Sequence, residues 1–520
     1  MTDSDFSELA RSSARGSLVL MIGQLAANIF AALGVIVVAN FLGSFSLGEV
    51  TKIMVPVNIA VLLNDFGVNA ALTKYIAQYR YEGKHQHIRR LLEAGFVFNM
   101  VSASLSAFLL YWFAGPIAER FLLRPDLEFL VKVAALFILG NGLQTMAQGV
   151  LVGYDRMGLR SISSVTWAFT KAIVPPLLVW VGLGPLGAII GNIISITLAG
   201  SVGMVFVLVI GRAEAGADSI GFTEALRLLL RFGFPIYLGT IVAGGLTQLN
   251  SSLINLYVGE SLIGQYNAAT NFGMVMNFIT LPLATVLFPL FSKINSKRES
   301  LKPVFVRAVK YTSMVTLPAV LLLILLANPL VDILFPVDYP YTALYTQIYL
   351  LVFIFQGLGA LAMISLVNGI GETHVSFKMN IVTLVVGAPL SLWLIPSYGI
   401  IGMLVSMIVA PRIGLFYGLW WVKKNLDIGF DAASSFSIYL SGGVAFAVCY
   451  LIGTYVNLGS WGSLVVLGGL FAILYVVLLP LTRGINKRDI DELKKLSVVA
   501  GPLSSFVRRF FDVLGRLLRA

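Results

Sequence analysis

The sequence predicts an all-α polytopic membrane protein with about fourteen transmembrane helices. Hydrophobic residues make up 58% of its 520 residues and charged residues only 12%, a balance too apolar for a soluble protein. Apolar runs of roughly twenty residues, the length that crosses a bilayer, recur along the whole chain. The 50 glycines and 19 prolines are scattered inside these runs, as transmembrane helices tolerate.

Polar breaks between the apolar runs define the predicted spans. The first run is too long for the core of a cleaved signal peptide, so we expect it to be retained as helix 1. The first six spans are predicted near 16–42, 49–72, 88–114, 127–152, 160–182 and 185–210. The next six are predicted near 232–257, 262–291, 307–328, 342–368, 375–395 and 399–422. A last pair is predicted near 432–455 and 460–482.

The distribution of basic residues predicts the orientation of these spans. With both termini in the cytoplasm, the cytoplasmic segments hold 30 of the 36 Lys and Arg residues, as the positive-inside rule requires. Three basic residues are predicted outside, namely Lys52, Arg120 and Arg124. Three more fall within spans, namely Lys132, Lys171 and Arg412.

Glycine-bearing helix ends repeat along the chain at a nearly constant offset. The turns 43–48 and 259–264 are 216 residues apart and have the same glycine spacing. Two further pairs occur, Gly153 with Gly369 at 216 and Gly184 with Gly399 at 215. Because each pair lies at matching ends of matching helices, we predict two homologous six-helix lobes related by an axis along the membrane normal.

The predicted organisation therefore has six segments. They are a cytoplasmic N-terminal tail (1–15), a first lobe (16–210), a cytoplasmic linker (211–231), a second lobe (232–424), a C-terminal helix pair (431–482) and a basic cytoplasmic tail (483–520). Within the last segment, residues 505–520 place apolar side chains at helical spacing with arginines between them. This pattern predicts an amphipathic helix on the anionic inner leaflet.

Several short motifs resemble a known family of transporters. They are Phe41-Leu42-Gly43, Asp65-Phe66-Gly67, Phe232-Gly233-Phe234-Pro235 and Gly264-Gln265-Tyr266-Asn267-Ala268-Ala269. In this order and spacing, the chain resembles the polysaccharide and lipid-linked oligosaccharide flippases (Wzx-type, related to lipid II flippases) of the multidrug/oligosaccharidyl-lipid/polysaccharide exporter superfamily. The resemblance implies alternating access around a central cavity, and two added helices suited to holding a polyprenyl tail.

The function implied is translocation of a polyprenyl-(pyro)phosphate-linked oligosaccharide from the inner to the outer leaflet, for cell-surface polysaccharide or glycoprotein synthesis. The expected location is the plasma membrane of a prokaryote. The expected partners are this lipid-linked glycan, membrane lipids and glycan-assembly enzymes, and we expect a monomer. Nucleic acid is not expected as a partner, because the basic residues are spread over many loops.

Two cations lie in the middle of predicted spans, Lys171 in helix 5 and Arg412 in helix 12. Inserting a cation there costs roughly 2.5–3.5 kcal/mol on insertion scales, so its presence needs a structural or functional explanation. One interpretation is that both face the cavity and bind the phosphate or pyrophosphate of the substrate. The alternative is a structural partner, such as a helix carbonyl or a carboxylate.

Two further candidate substrate-binding residues are Asp65 and Asn250. Asp65 comes late in helix 2, where it is either a counter-ion or proton or sodium site in the cavity, or a capping residue or partner of Lys74. Asn250 is one of several amides within spans, which either bind sugar hydroxyls or join helices. Lys132 lies one turn from Glu128, and we expect an ion pair between them.

We expect neither catalytic residues, nor a cofactor, nor a metal site. The chain has no phosphate-binding loop of the Gly-x-x-x-x-Gly-Lys-Ser/Thr type, and its three histidines fall in predicted cytoplasmic loops without a carboxylate or cysteine cluster. A membrane glycosyltransferase would need clustered carboxylates in a sizeable extramembrane loop. The nearer alternative is an ion-coupled multidrug exporter of the same superfamily, whose cationic substrates favour carboxylates in the cavity rather than Lys and Arg.

Overall fold

The computed structural model describes residues 3–211, 220–294, 301–335, 338–429, 432–456, 458–486 and 489. These residues are almost entirely helical and contain no β-strand, so the all-α class predicted from the sequence is confirmed. The predicted amphipathic helix at 505–520 lies outside the described residues, as do linker residues 212–219.

The first half of the chain forms eight helices. They are α1 (Asp3–Asn64), α2 (Val68–Tyr81), α3 (His85–Trp112), α4 (Ala114–Pro116), α5 (Glu128–Ala134), α6 (Phe137–Gly153), α7 (Met157–Leu178) and α8 (Gly184–Gly211). The second half forms nine. They are α9 (Phe222–Tyr257), α10 (Glu260–Ile294), α11 (Leu301–Leu325), α12 (Ala327–Leu334), α13 (Thr342–Ile354), α14 (Ala360–Gly369), α15 (Thr373–Leu426), α16 (Ala432–Tyr455) and α17 (Gly459–Leu481).

Glycines interrupt the two longest helices where the sequence predicts span boundaries. The 62-residue α1 leaves helical geometry at Gly43 (φ 72°, ψ 171°), and the 54-residue α15 does so at Gly399 (φ 56°, ψ −130°). Gly184, which the repeat pairs with Gly399, has nearly the same backbone angles (φ 53°, ψ −136°). Side chains with a Cβ rarely adopt such angles, so both equivalent positions require glycine.

Nine helical segments among the described residues are long and apolar enough to cross a membrane. Two of them, Met157–Gly211 with 55 residues and Thr373–Leu426 with 54, are far longer than the roughly twenty residues that one crossing needs. The protein is therefore a multi-pass membrane protein.

The chain forms two compact units, each with its own apolar core. The first unit comprises 1–274 and 380–410, and the second comprises 275–379 and 411–520. Buried side chains of α2, α3, α6 and α9 form one core of the first unit. In the second unit, α16 and α17 pack with α11 around Phe471 and Cys449. The lobe boundaries derived from the repeat stay a prediction.

Candidate functional site

Lys171 is a cation without an ionic partner in the first unit. It lies on α7, which approaches α1 so closely that a Cβ on Gly34 would be 2.8 Å from the carbonyl oxygen of Lys171. Its Nζ lies 5.0 Å from the centroid of the Trp167 ring. Among the described residues, neither a carboxylate nor a hydrogen-bond acceptor contacts this half-buried ammonium group. Lys171 is therefore available to an anion.

Arg412 is partly engaged by structural contacts in the second unit. Its Nη2 donates a hydrogen bond to the carbonyl of Val352, and its guanidinium carbon lies 4.2 Å from the centroid of the Phe355 ring. A helix carbonyl is one of the structural partners expected from the sequence as the alternative to a substrate phosphate. Its Nε is buried and has no acceptor among the described residues. One donor is thus used, and another remains for a ligand.

Asp65 caps the start of α2. The chain turns after Asn64 through Phe66 and Gly67, which have positive φ angles of 45° and 73°. Oδ1 of Asp65 accepts a hydrogen bond from Nδ2 of Asn69 at 2.6 Å and a longer one from its backbone N–H at 3.5 Å. The N-cap residue of α2 is Gly67, so Asp65 contributes a weak capping contact, one of the two structural roles expected for it.

Lys74, the other partner considered for Asp65, contacts aromatic rings instead. Its Nζ lies 3.8 Å from the ring centroid of Phe232 and 4.7 Å from that of Tyr75. Cation–π contacts of this kind stabilise an ammonium group in apolar surroundings. No ion pair between Lys74 and Asp65 is found in the part of the chain that the structure describes.

Asn250 is a buried amide on α9 in the first unit. Its residue is only 3% exposed, and its Oδ1 has no hydrogen-bond donor among the described residues. Buried polar atoms nearly always have a partner, so this oxygen is suited to receiving a hydrogen bond from a ligand. Lys171, Asp65 and Asn250 belong to the same unit, but the structure joins none of them to another by a hydrogen bond or an ion pair.

Two motifs of the resemblance lie in contact. Phe66 stacks on Tyr237 with ring centroids 5.0 Å apart, and the Tyr237 hydroxyl donates a hydrogen bond to the carbonyl of Leu63. A Cβ on Gly67 would lie 2.0 Å from the carbonyl oxygen of Gly233. The glycines of Asp65-Phe66-Gly67 and Phe232-Gly233-Phe234-Pro235 therefore allow the two backbones to touch.

A buried cluster of ion pairs in the first unit was missed by the sequence reasoning. Nζ of Lys52 lies 3.0 Å from Oε1 of Glu260, although the two residues are 208 positions apart. Arg124 lies 2.7 Å from Glu49, 3.2 Å from Glu260 and 2.7 Å from Asp126. The available signal was the pair of repeated turns 43–48 and 259–264, because Glu260 lies within one of them and Glu49 directly follows the other.

Glu260 and Asp126 lie outside the predicted spans, and the charges of this cluster shift the pKa values of both. Burial alone would raise the pKa of Glu260, but its backbone hydrogen bond, its bond from Lys52 and the charges of Lys52 and Arg124 lower it overall. The hydrogen bond from Arg124 lowers the pKa of the exposed Asp126. The carboxyl groups of Glu260 and Asp126 are therefore ionised at neutral pH.

The expected pair between Lys132 and Glu128 is present, with Nζ and Oε1 2.6 Å apart on the surface of α5. It is separate from the buried cluster and has the weak energetic effect of an exposed ion pair.

Comparison with known proteins places this architecture among transporters. A family model described as "Polysaccharide biosynthesis protein" matches residues 13–295. The "Probable low-salt glycan biosynthesis flippase Agl15" of Haloferax volcanii is 22% identical over 458 residues, which cover 85% of this chain and 90% of the relative.

Two solved structures share the fold. "Lipid II flippase MurJ, inward closed conformation" matches with a TM-score of 0.72 and 18% identity, over 89% of this chain and 98% of that one. An inward-facing multidrug resistance MATE family transporter of the MOP superfamily matches with a TM-score of 0.61 and 15% identity, over 78% and 94%. The likeness is greater to the first structure, in extent and in TM-score.

Proposed function

This chain belongs to the Polysaccharide biosynthesis protein family, and from that premise we propose that it flips a polyprenyl-(pyro)phosphate-linked oligosaccharide from the inner to the outer leaflet by alternating access. It is a membrane transporter rather than an enzyme, as its relatives are. Membrane lipids surround it, and glycan-assembly enzymes are its proposed partners.

We further propose fourteen spans with both termini inside. The interruptions at Gly43 and Gly399 support a division of α1 and α15 into two spans each. Aromatic side chains support the positions of the span ends, because Trp and Tyr concentrate at both membrane interfaces. Five of them are more than two-thirds exposed at helix ends assigned to the outside, namely Trp112, Trp180, Trp393, Tyr455 and Trp461.

The single observation that carries the substrate assignment is Lys171, a cation within a span that has no ionic or hydrogen-bond partner among the described residues. A phosphate or pyrophosphate group is the ligand that such an ammonium group favours, since burial strengthens their attraction. Arg412 supports the assignment through its buried, unpaired Nε. We propose a phosphate contact for each cation separately, Lys171 in the first unit and Arg412 in the second.

Asn250 and Asp65 are the other proposed substrate contacts, and both lie in the first unit. The unpaired Oδ1 of Asn250 would accept a hydrogen bond from a sugar hydroxyl. Asp65 uses Oδ1 in capping, while no hydrogen bond to its Oδ2 is found among the described residues, so this second oxygen is the proposed contact.

The C-terminal helices α16 and α17 are the proposed binding region for the polyprenyl tail. Residues 432–482 contain no Asp, Glu, Lys or Arg, so these helices face lipid or a lipid tail without burying charge. The multidrug alternative is not favoured, because the charges in the middle of spans are cations.

The test is transfer of a fluorescent polyprenyl-pyrophosphate oligosaccharide across liposomes that contain the purified protein. We expect transfer by the parent, a strong loss in Lys171→Ala and a smaller loss in Arg412→Ala, whose guanidinium also has structural contacts. Lys132→Ala is the matched control, since it removes an exposed cation already paired with Glu128. Unchanged transfer in both variants would discard the cation site, and efflux of a cationic dye without lipid transfer would discard the flippase.

A further inference from the structure

The two repeated turns are in backbone contact with each other. A Cβ on Gly48 would lie 1.8 Å from the carbonyl oxygen of Glu260, and a Cβ on Gly264 would lie 1.9 Å from that of Ser44. Gly48 and Gly264 are 216 positions apart, and so are Ser44 and Glu260. Gly48 thus contacts Glu260, and its equivalent Gly264 contacts Ser44, the equivalent of Glu260. Such reciprocal contacts between equivalent residues are the pattern of a twofold-symmetric interface.

Polar side chains join the same crossing. Oγ of Ser44 and Oγ of Ser261 are 2.8 Å apart and share a hydrogen bond. Nδ2 of Asn255 donates a hydrogen bond to the carbonyl of Lys52. With glycine at the contact, the backbones meet through few side chains, so separating them disrupts little packing.

The charges break this symmetry. The position equivalent to Lys52 is Ala268, and the position equivalent to Glu260 is Ser44, so the Lys52–Glu260 pair has no counterpart at the equivalent positions. The side chains of Lys52 and Glu260 are 6% and 14% exposed. A buried pair adds little net stability but strongly favours the one arrangement in which both charges are compensated.

Arg124 adds a third chain segment to the crossing. The preceding Leu123 has a φ of 57°, unusual for a residue with a side chain, and the Arg124 N–H donates a hydrogen bond to the carbonyl of Ala118 at 2.8 Å. This backbone presents the guanidinium to Glu49 on α1 and to Glu260 on α10. A single side chain thus connects the two helices that the glycines bring together.

We propose that Lys52, Glu260, Arg124 and Glu49 form a latch that holds the outer ends of the two repeats together and must open each time the substrate is released outside. The inference rests on the proposed function and its orientation. Opening exposes the charges to water, whose hydration compensates for the lost ion pairs, so the latch is reversible. The helices it joins are the two that carry the repeated turns.

A disulfide tests whether the crossing must open. Ser44→Cys with Ser261→Cys replaces two hydroxyls 2.8 Å apart, and Cys449 is kept because it is fully buried. We expect the oxidised protein to lose lipid transfer and the reduced protein to recover it. Full-rate transfer by quantitatively cross-linked protein would overturn the latch, and failure of the cysteines to cross-link would overturn the contact itself.

Thiol labelling tests the charges without any substrate. In cells that carry Ser44→Cys, the latch protects the buried thiol from an impermeant maleimide, and adding Glu260→Gln should raise the labelling rate by on the order of tenfold. Glu128→Gln is the matched control, because it removes an exposed carboxylate outside the cluster and should leave the rate unchanged. Equal rates in the two variants would refute the latch even if the protein flips its substrate.

Discussion

Gly48→Ala should separate the two repeated turns. Its Cβ would lie 1.8 Å from the carbonyl oxygen of Glu260, whereas ordinary contact begins at 3.4 Å, so the backbones must move apart by about 1.6 Å. Overpacking of this kind costs about 1–3 kcal/mol, and losing the Ser44–Ser261 hydrogen bond adds about 1 kcal/mol. We therefore expect a loss of about 2–4 kcal/mol in the stability of the closed crossing.

The assay is the rate of disulfide formation between Ser44→Cys and Ser261→Cys, with the thermal unfolding midpoint in detergent measured in parallel. Gly48→Ala should slow cross-linking strongly and lower the midpoint. Gly245→Ala on α9 is the control, because no atom lies within 4 Å of its Cβ and alanine favours a helix. Parent-like cross-linking and midpoint in Gly48→Ala would refute the argument from the close contact.

Three further predictions follow from buried or capping charges. Lys310→Met should lower the free energy of unfolding by about 3–5 kcal/mol, since it leaves Asp489, 2.5 Å away, buried without its cation, whereas adding Asp489→Leu should restore much of the loss in the same thermal assay. Asp65→Ala should cost about 1 kcal/mol through the lost cap on α2, and a larger loss of transfer than of stability would identify a substrate contact as well. Relative to a fully exposed thiol at the same pH, labelling of the Ser44→Cys thiol should stay slow through neutral pH and rise only in acid. The pKa of Glu260 is lowered overall, because its backbone hydrogen bond and the two cations facing it outweigh the effect of burial. This carboxylate therefore stabilises the latch above its ordinary pKa, and the contribution disappears as the pH falls through the lowered one. A relative rate that already rises as the pH is lowered near neutral would contradict this assignment.

The sequence predicts those features of the fold that depend on local patterns. Apolar runs predict the helices, and the repeated glycines predict the breaks at Gly43 and Gly399, because only a residue without a Cβ readily adopts those angles. The pair between Lys132 and Glu128 follows from their spacing of one helical turn. The capping role of Asp65 follows from its proximity to the start of α2.

The sequence does not predict contacts that depend on how distant helices pack. Glu260 pairs with Lys52 across 208 positions, and no local pattern indicates which of 36 basic residues a given carboxylate meets. The hydrogen bond from Arg412 to the Val352 carbonyl, 60 positions away, likewise depends on how distant segments pack. The repeat does indicate where the two helices cross, because a symmetric helix crossing requires equivalent glycines at one offset.

In the proposed alternating-access cycle, glycine at the helix crossing and charge beside it meet two opposite requirements. In the proposed latch, close backbone contact at Gly48 and Gly264 leaves no room for substrate between the turns, yet it involves little interlocking of side chains that would resist separation. Such a contact alone would hold the crossing weakly, and the ion pairs of Lys52 and Arg124 supply a directional attraction that water can replace when the crossing opens. Apolar side chains at these positions would bind more tightly, but hydration would not compensate for exposing them. A charged latch over glycines is therefore the arrangement that closes firmly and still opens in each transport cycle.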